Sequence, residues 1–251
     1  MRNKVEILGL PGIPEVRDGD DVARLILHAA TAAGVSLDSG DVVVVKQKIV
    51  SKAEGRVVPL GDIAPSPLAV EIGERNGKDP RHVEAVLREA SRIVKIDQGL
   101  LIAETRAGLI CANAGVDASN VGLDDAVCLL PEDSDASADT IRTSLEAETG
   151  SSLAVIISDS IGRPWRKGII DLAIGVSGLI PLRDYVGQRD DDGRELKVTV
   201  VAEADELASA AELVTGKLER CPVAVIKGSG VALGPGRAAD IVMNPEKDLF
   251  R

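Results

Sequence analysis

The chain has 251 residues, with 40 acidic against 29 basic side chains and a formal net charge of −11. That balance excludes a non-specific nucleic-acid binder, which works through Lys and Arg on phosphates, and means that any anionic ligand needs a local basic pocket or a metal ion. Hydrophobic residues make up 45% and aromatic ones only 1%, so the core must be aliphatic and aromatic platforms for stacked bases are nearly absent.

Such a length allows one large domain or two small ones around a substantial core. VEILGL (5–10) reads as a first strand, followed by the turn-rich PGIPEVRDGD. A helix is predicted from near Asp20, because Val22, Leu25, Ile26, Ala29 and Ala33 recur at helical spacing and Gly34 follows as a stop. DVVVVKQKIV (41–50) has the β-branched run of a strand buried on both faces. Helical patterns follow over Pro67–Arg75 and Pro80–Val94, then the short strand-like runs LLIAET, GLICANAG and AVCLLP between 100 and 131. DSDASADTIRTSLEAETG carries capping residues and then a helix that ends at Gly150.

A second α/β stretch opens with LAVIISDS (153–160) and runs into the Gly-spaced GIIDLAIGVSGLIPL. YVGQRDDDGRELKVTVV reads as a hairpin, since Asp-Gly supplies the positive φ angles of a tight turn. EADELASAAELVTGKL is a helix with an acidic first turn, and PVAVIKG a last strand. Helices and strands interleave without a regular βαβ series, which predicts a mixed α+β fold and not a plain doubly wound sheet.

Several familiar sites are missing. GxxxxGK[ST], HExxH, GxSxG and Cys/His clusters do not occur, and GPGRAA (234–239) matches a dinucleotide fingerprint only in letters, because no further βαβ unit follows it. His28 and His82 fall on predicted helix surfaces, which argues against a histidine base or a zinc site. Cys111, Cys128 and Cys221 lie far apart in or beside apolar runs and read as buried, reduced thiols. An odd cysteine count, an N-terminus without a signal-peptide core and no run near the roughly 18 apolar residues of a membrane span together fit the cytoplasm.

Two stretches stand out. NAGVDASN (113–120) and SDSIGRPWR (158–166) each place an Asp beside a hydroxyl or amide at the end of an apolar run. Asp, Asn, Ser and Gly are ordinary turn residues. The other reading is that Asp117 and Asp159 hold a hard cation such as Mg²⁺ or Mn²⁺, which prefers oxygen ligands and shares them with phosphates. If they do, replacing either by Asn should abolish activity and leave the metal-free protein as stable as before, or more so.

Together NAGVDASN, SDSIGRPWRKG, AIGVSGL, DDDGRELKVTVVAEADELA and KIVSKAEGR resemble the coenzyme F-420-0:L-glutamate ligase family, the F-420 γ-glutamyl ligases, over nearly the whole chain. The resemblance implies a GTP-dependent enzyme that joins L-glutamate to the carboxyl of a deazaflavin coenzyme through an acyl phosphate, releasing GDP and phosphate. Further γ-linked glutamates can follow. It implies two divalent-cation sites for Mg²⁺ or Mn²⁺, help from a monovalent cation such as K⁺, and an unusual two-lobed α+β fold that is neither P-loop, Rossmann nor ATP-grasp. It also implies a homodimer, with the nucleotide near the meeting of the lobes. Residues 1–251 would form a single unit of the stand-alone kind, without a C-terminal flavin-reductase domain. By the same resemblance Asp117 and Asp159 match carboxylates on the first metal, and Ser160 a hydroxyl on the second. Nucleotide contacts match Leu10, Pro11, Gly12 and Ile13, then Gln47, Lys48 and Lys52, then Asn120. A last set is Leu213, Val214, Thr215, Gly216, Lys217, Leu218, Glu219 and Arg220, where Lys217 replaces an acid or carboxamide and leaves the loop without an expected metal role. Two rivals stay open: a GTP-responsive regulator that binds without turnover, and a phosphohydrolase that uses the same metals.

Overall fold

A computed structural model describes residues 4–249; Arg251, the expected end of the stand-alone unit, lies outside them. The central sheet has five strands: β1 (Glu6–Gly9), β2 (Val42–Lys46), β8 (Ala154–Gly162), β9 (Ile169–Ser177) and β12 (Val223–Lys227), in the order β1-β12-β2-β8-β9. Only β2 and β8 are parallel; the other neighbours are antiparallel.

Period-two alternation divides these strands between two cores. Val43, Val45, Val155, Ile157, Val223 and Val225 face one cluster, together with Ile26 and Ala30 of α1 (Val22–Ala33) and Ile141 and Leu145 of α5 (Ser134–Thr149). Val42, Val44, Ala154, Ile156, Ala224 and Ile226 face the other, against Ala204, Ala208 and Ala211 of α6 (Glu203–Thr215). Both faces of the sheet are covered, and this is why its strands are almost unbroken aliphatic runs. Asp21 caps α1 by accepting from the Arg24 N–H, and Gly34 ends it in the left-handed region at φ 66°.

A separate core gathers Leu60, Ile63, Ile72, Val83, Val86, Leu101 and Val127. It packs α3 (Pro67–Asn76) and α4 (Pro80–Glu89) on the three-stranded sheet of β4 (Ala90–Asp97), β5 (Leu100–Thr105) and β6 (Ile110–Ala112). A short pair, β3 (Val57–Pro59) with β7 (Ala126–Cys128), completes this part, and β10 (Arg183–Asp184) pairs with β11 (Val200–Val201) at the base of the Asp-Gly hairpin. The mixed α+β architecture is as expected.

Two element boundaries differ from the sequence reading. The strand over 41–50 stops at Lys46, and Gln47–Ala53 is a helix, α2. Lys46 alone is still extended (φ −63°, ψ 131°), so one residue joins strand directly to helix and no Gly or Pro marks the change. The helix over 80–94 ends at Glu89; Ala90 takes extended geometry (φ −83°, ψ 133°) and starts β4. Arg92 and Ile93 pair with Glu104 and Ala103 of β5, a tertiary ladder that overrides local helix propensity.

Candidate functional site

The two parallel strands end side by side. β2 delivers Lys46 opposite Ser158 of β8, and β8 then runs four residues further, carrying Asp159 and Ser160 beyond the sheet's parallel pair. A crevice outside the carboxyl ends of parallel strands is where open α/β sheets bind ligands. A bulge on β9 between the Ile157 and Ser158 pairings sets the register there, placing Ser160 opposite Asp171. The cavity above has a volume of about 900 Å³.

Its walls come from five segments, Ile13–Val16, Lys46–Lys52, Cys111–Gly122, Ser158–Gly162 and Thr215–Pro222, with Ile169 beside them. The Asp117 segment belongs to the separate core, so the cavity lies where the two parts of the fold meet. Asp117 is fixed by a bridge to Cys128, its N–H donating to the Cys128 carbonyl at 3.0 Å and its carbonyl accepting at 2.8 Å. Before it, Asn113, Ala114 and Gly115 take positive φ angles of 53°, 50° and 75°. Gly115 is required there, because a Cβ would fall 2.6 Å from Leu130.

Of the residues expected from the sequence, Ile13, Gln47, Lys48, Lys52, Asp117, Asn120, Asp159, Ser160, Thr215, Gly216, Lys217, Leu218 and Arg220 all line this cavity. Leu10 does not: it is fully buried in the aliphatic core, while its N–H donates to Val223. Pro11 and Gly12 lie outside the lining, as do Leu213, which is 83% exposed, and Val214, which packs beside the α6 core. The Glu219 carboxylate turns back to accept from the Leu218 N–H at 2.7 Å. Gln47 is buried, its Oε1 accepting from the Ser51 hydroxyl at 2.7 Å.

Charge is concentrated on the floor. Lys48 Nζ donates to Asp117 Oδ2 at 2.7 Å, and Asp117 Oδ1 accepts from the Ser119 N–H at 2.7 Å. Partial burial pushes the Asp117 carboxyl up, but the Lys48 and Ser119 hydrogen bonds and the Lys48 charge outweigh it, so the group sits below the usual carboxylate range. Asp159 goes the other way. Burial, and then the charges of Asp171 and Asp117, raise it to about 6. Among the described residues it has no ion-pair partner. Cys111, whose thiol is also pushed up to about 12, first by burial and then by the nearby Asp159, stays protonated and inert.

Sequence reasoning missed four members of this network. Asp171, only 1% exposed, accepts from the Ser158 hydroxyl at 2.9 Å, the Ser160 hydroxyl at 2.8 Å and Lys46 Nζ at 2.5 Å. Lys46 also pairs with Glu212, and Lys217 hydrogen-bonds Ser160. Glu15 pairs with Lys52. The available signal was the single acid inside the apolar run GIIDLAIG.

These donors fit a hard cation. Carboxylate and hydroxyl oxygens converge, one of the carboxylates has no cation of its own, and the neighbouring thiol is not a thiolate. Among the described residues no closed group of three or more His, Cys, Asp or Glu exists. With so few protein ligands, a bound ion would need water and ligand oxygens to complete its shell, as Mg²⁺ does. The three cysteines are free and buried, as expected.

The arrangement of acids, lysines and hydroxyls at a strand-end crevice is matched by a specific likeness. The family model described as F420-0:Gamma-glutamyl ligase matches residues 12–228. Relatives named Coenzyme F420:L-glutamate ligase include that of Methanothermobacter thermautotrophicus, 46% identical over 98% of this chain and 99% of its own. That of Methanocaldococcus jannaschii is 43% identical over 100% and 98%, and that of Methanopyrus kandleri 47% identical over 94% of each. With every wall of the cavity inside the matched span, the chain belongs to the F420-0:gamma-glutamyl ligase family.

Proposed function

We propose that this chain joins L-glutamate to the deazaflavin coenzyme F-420-0 in a GTP-dependent reaction, with further γ-linked glutamates as later products. The observation that carries this reading is the convergence of Asp117, Asp159, Ser160 and the lysines 48, 52 and 217 on one cavity, in a chain of this ligase family.

An amide forms from a carboxylate only after activation. A carboxylate oxygen of the coenzyme attacks the γ-phosphorus of GTP, the bond to the β-phosphate oxygen breaks, and GDP leaves. The glutamate nitrogen then attacks the acyl carbon of the acyl phosphate, phosphate departs and the amine gives up a proton. Asp117, Asp159 and Ser160 would hold Mg²⁺ or Mn²⁺ on the floor. When bound, such ions neutralise phosphate charge that grows during transfer. Lys48, Lys52 and Lys217 supply cationic hydrogen-bond donors to the phosphate oxygens, which requires exchanging their present partners, Asp117, Glu15 and the Ser160 hydroxyl, for the nucleotide.

The test is one incubation with GTP, Mn²⁺, L-glutamate and the coenzyme, read by mass spectrometry. A coenzyme heavier by one glutamyl unit, with GDP and phosphate in equal amounts, is expected. Phosphate without a glutamyl product would make the protein a phosphohydrolase; GTP binding without turnover would make it a regulator. Competition calorimetry separates GTP from ATP, and equal or tighter ATP binding overturns the nucleotide choice. We also propose a homodimer, as the resemblance of the sequence motifs implies, for which light scattering at micromolar concentration should give about twice 26.2 kDa.

A further inference from the structure

We propose that the loop joining β8 to β9 holds the anionic side chain of the coenzyme, its phosphodiester and free carboxylates, through Arg163, Arg166 and Lys167. The inference rests on the function proposed above and assigns a different part of the molecule to a different part of the substrate.

Position comes first. The strand that carries Asp159 and Ser160 continues to Gly162, which pairs with Ile169 at the start of β9. Both Gly162 and Ile169 line the cavity. The six residues between them are thus anchored at its rim by the last rung of a ladder whose earlier rungs hold the floor. Arg163 lies four residues from Asp159, about 13 Å along an extended strand.

Charge comes second. IGRPWRKGII (161–170) contains three cations and no acid, in a chain whose net charge is −11. Residues 163–168 are all exposed, and among the described residues none of the three cations is in an ion pair. The floor differs: Lys46, Lys48 and Lys52 each already sit on a carboxylate. Arg220, in the opposite wall, is the other exposed cation of the cavity outside any ion pair among the described residues, and the rim adds three such cations on one short loop. Two of the three rim cations are Arg, whose planar fork matches phosphate oxygens bidentately. Pro164 fixes one φ angle of the loop and Trp165 sits at φ 58°, so the turn is defined and does not trail freely.

The chemistry of the reactants then sorts them. The nucleotide's γ-phosphate must reach the floor carboxylates and their metal. The coenzyme reaches the same point with the carboxyl at the tip of its side chain, so its phosphodiester is set back from the reacting carbon and extends outward. Each added glutamate leaves another carboxylate behind along that path. The rim loop continues the strand beyond the floor residues Asp159 and Ser160 and carries three cations and no acid, which matches that charge.

The experiment compares wild type with the triple variant Arg163→Gln, Arg166→Gln, Lys167→Gln, and with Arg163→Lys, Arg166→Lys. Initial rates give KM for coenzyme, GTP and L-glutamate. Trp165, the only tryptophan and 81% exposed, gives a fluorescence readout of coenzyme binding that does not depend on turnover. In the triple variant KM for the coenzyme should rise at least about tenfold, with kcat and KM for GTP within about twofold. The Lys pair should keep most of the affinity. Raising salt should weaken coenzyme binding to wild type and leave the triple variant nearly flat. A coenzyme KM unchanged in the triple variant, or a KM for GTP that rises in step with it, overturns the assignment while wild-type turnover leaves the proposed function standing. If wild type neither binds nor converts the coenzyme, both fall.

Discussion

Lys48 and Asp117, 69 residues apart, meet across the cavity with Nζ 2.7 Å from Oδ2, and so tie the strand-to-helix corner of the central sheet to the separate core. Asp159, the other expected metal carboxylate, lacks such a partner among the described residues. The two acids therefore respond differently to loss of charge. Asp117→Asn and Asp159→Asn should each reduce ligation by orders of magnitude and weaken Mn²⁺ binding. Without metal, Asp159→Asn should melt higher than wild type at pH 8, because it removes a buried charge crowded by Asp117 and Asp171. Asp117→Asn should melt slightly lower, by less than about 1 kcal/mol, since its pair is partly solvent-screened. From the sequence alone both were expected to be neutral or stabilising; the Lys48 pair is what separates them. Wild-type turnover in either variant at saturating Mn²⁺ would make these stretches ordinary turns.

Acid stability turns on Glu84. Its carboxylate accepts from the Ser66 N–H at 2.9 Å and from Arg88 Nε at 2.9 Å, joining the start of α3 to α4. The Ser66 hydrogen bonds, and then Arg88, hold its pKa down to about 2, against an ordinary 4.5. A depressed carboxylate contributes stability above its unfolded pKa and loses it as pH falls, here between about 4.5 and 2. With Arg88 half exposed, the contribution is about 1–2 kcal/mol. Urea melts of Glu84→Gln should lie below wild type at pH 7, and the gap should close towards pH 2. A gap independent of pH would assign the loss to packing.

The sequence reveals the central sheet because both its faces are buried, so VVVV and LAVII admit no other reading at that length. Asp117, Asp159 and Ser160 are legible because polar groups end apolar runs there. The corner at Gln47 is not legible: nothing in KQKIV interrupts the pattern, and the strand ends where β12, its partner on the other side, begins at Val223 opposite Val45. β4 is hidden for the same reason in reverse, its pairing partner lying ten residues on. Lys46, Asp171 and Glu212 come from three distant elements, and no local spacing links them.

Backbone geometry at Gly115 offers a test of how the Asp117 strand is aimed. Gly115→Ala must place a Cβ at φ 75° and 2.6 Å from Leu130. Strain and overpacking together should cost about 2–4 kcal/mol. Gly115→Ala with Leu130→Ala removes the clash but not the positive φ, and should recover part of the loss. Full recovery of stability by the double variant would show that the left-handed turn itself carries no strain.

The last prediction concerns the buried acid under the site. Asp171 is 1% exposed, and its charge is balanced by Lys46, with the Ser158 and Ser160 hydroxyls filling its other lone pairs. Lys46→Met keeps the aliphatic stem but leaves the Asp171 carboxylate with only its two serine hydroxyls and the longer contact from Lys217 at 3.9 Å. Breaking a buried pair from one side costs about 3–5 kcal/mol, far more than the pair itself contributes. Lys46→Met should therefore be strongly destabilised in denaturant melts. Adding Asp171→Asn removes the uncompensated charge while keeping one acceptor oxygen of the two that the serine hydroxyls now use, and should restore most of the stability. Activity should not return in full, because the Asn amide offers one acceptor oxygen where the carboxylate holds Ser158 on Oδ2 and Ser160 on Oδ1. If the double variant is no more stable than Lys46→Met, the lysine acts through packing of its stem and the charge balance described here is not what holds the floor together.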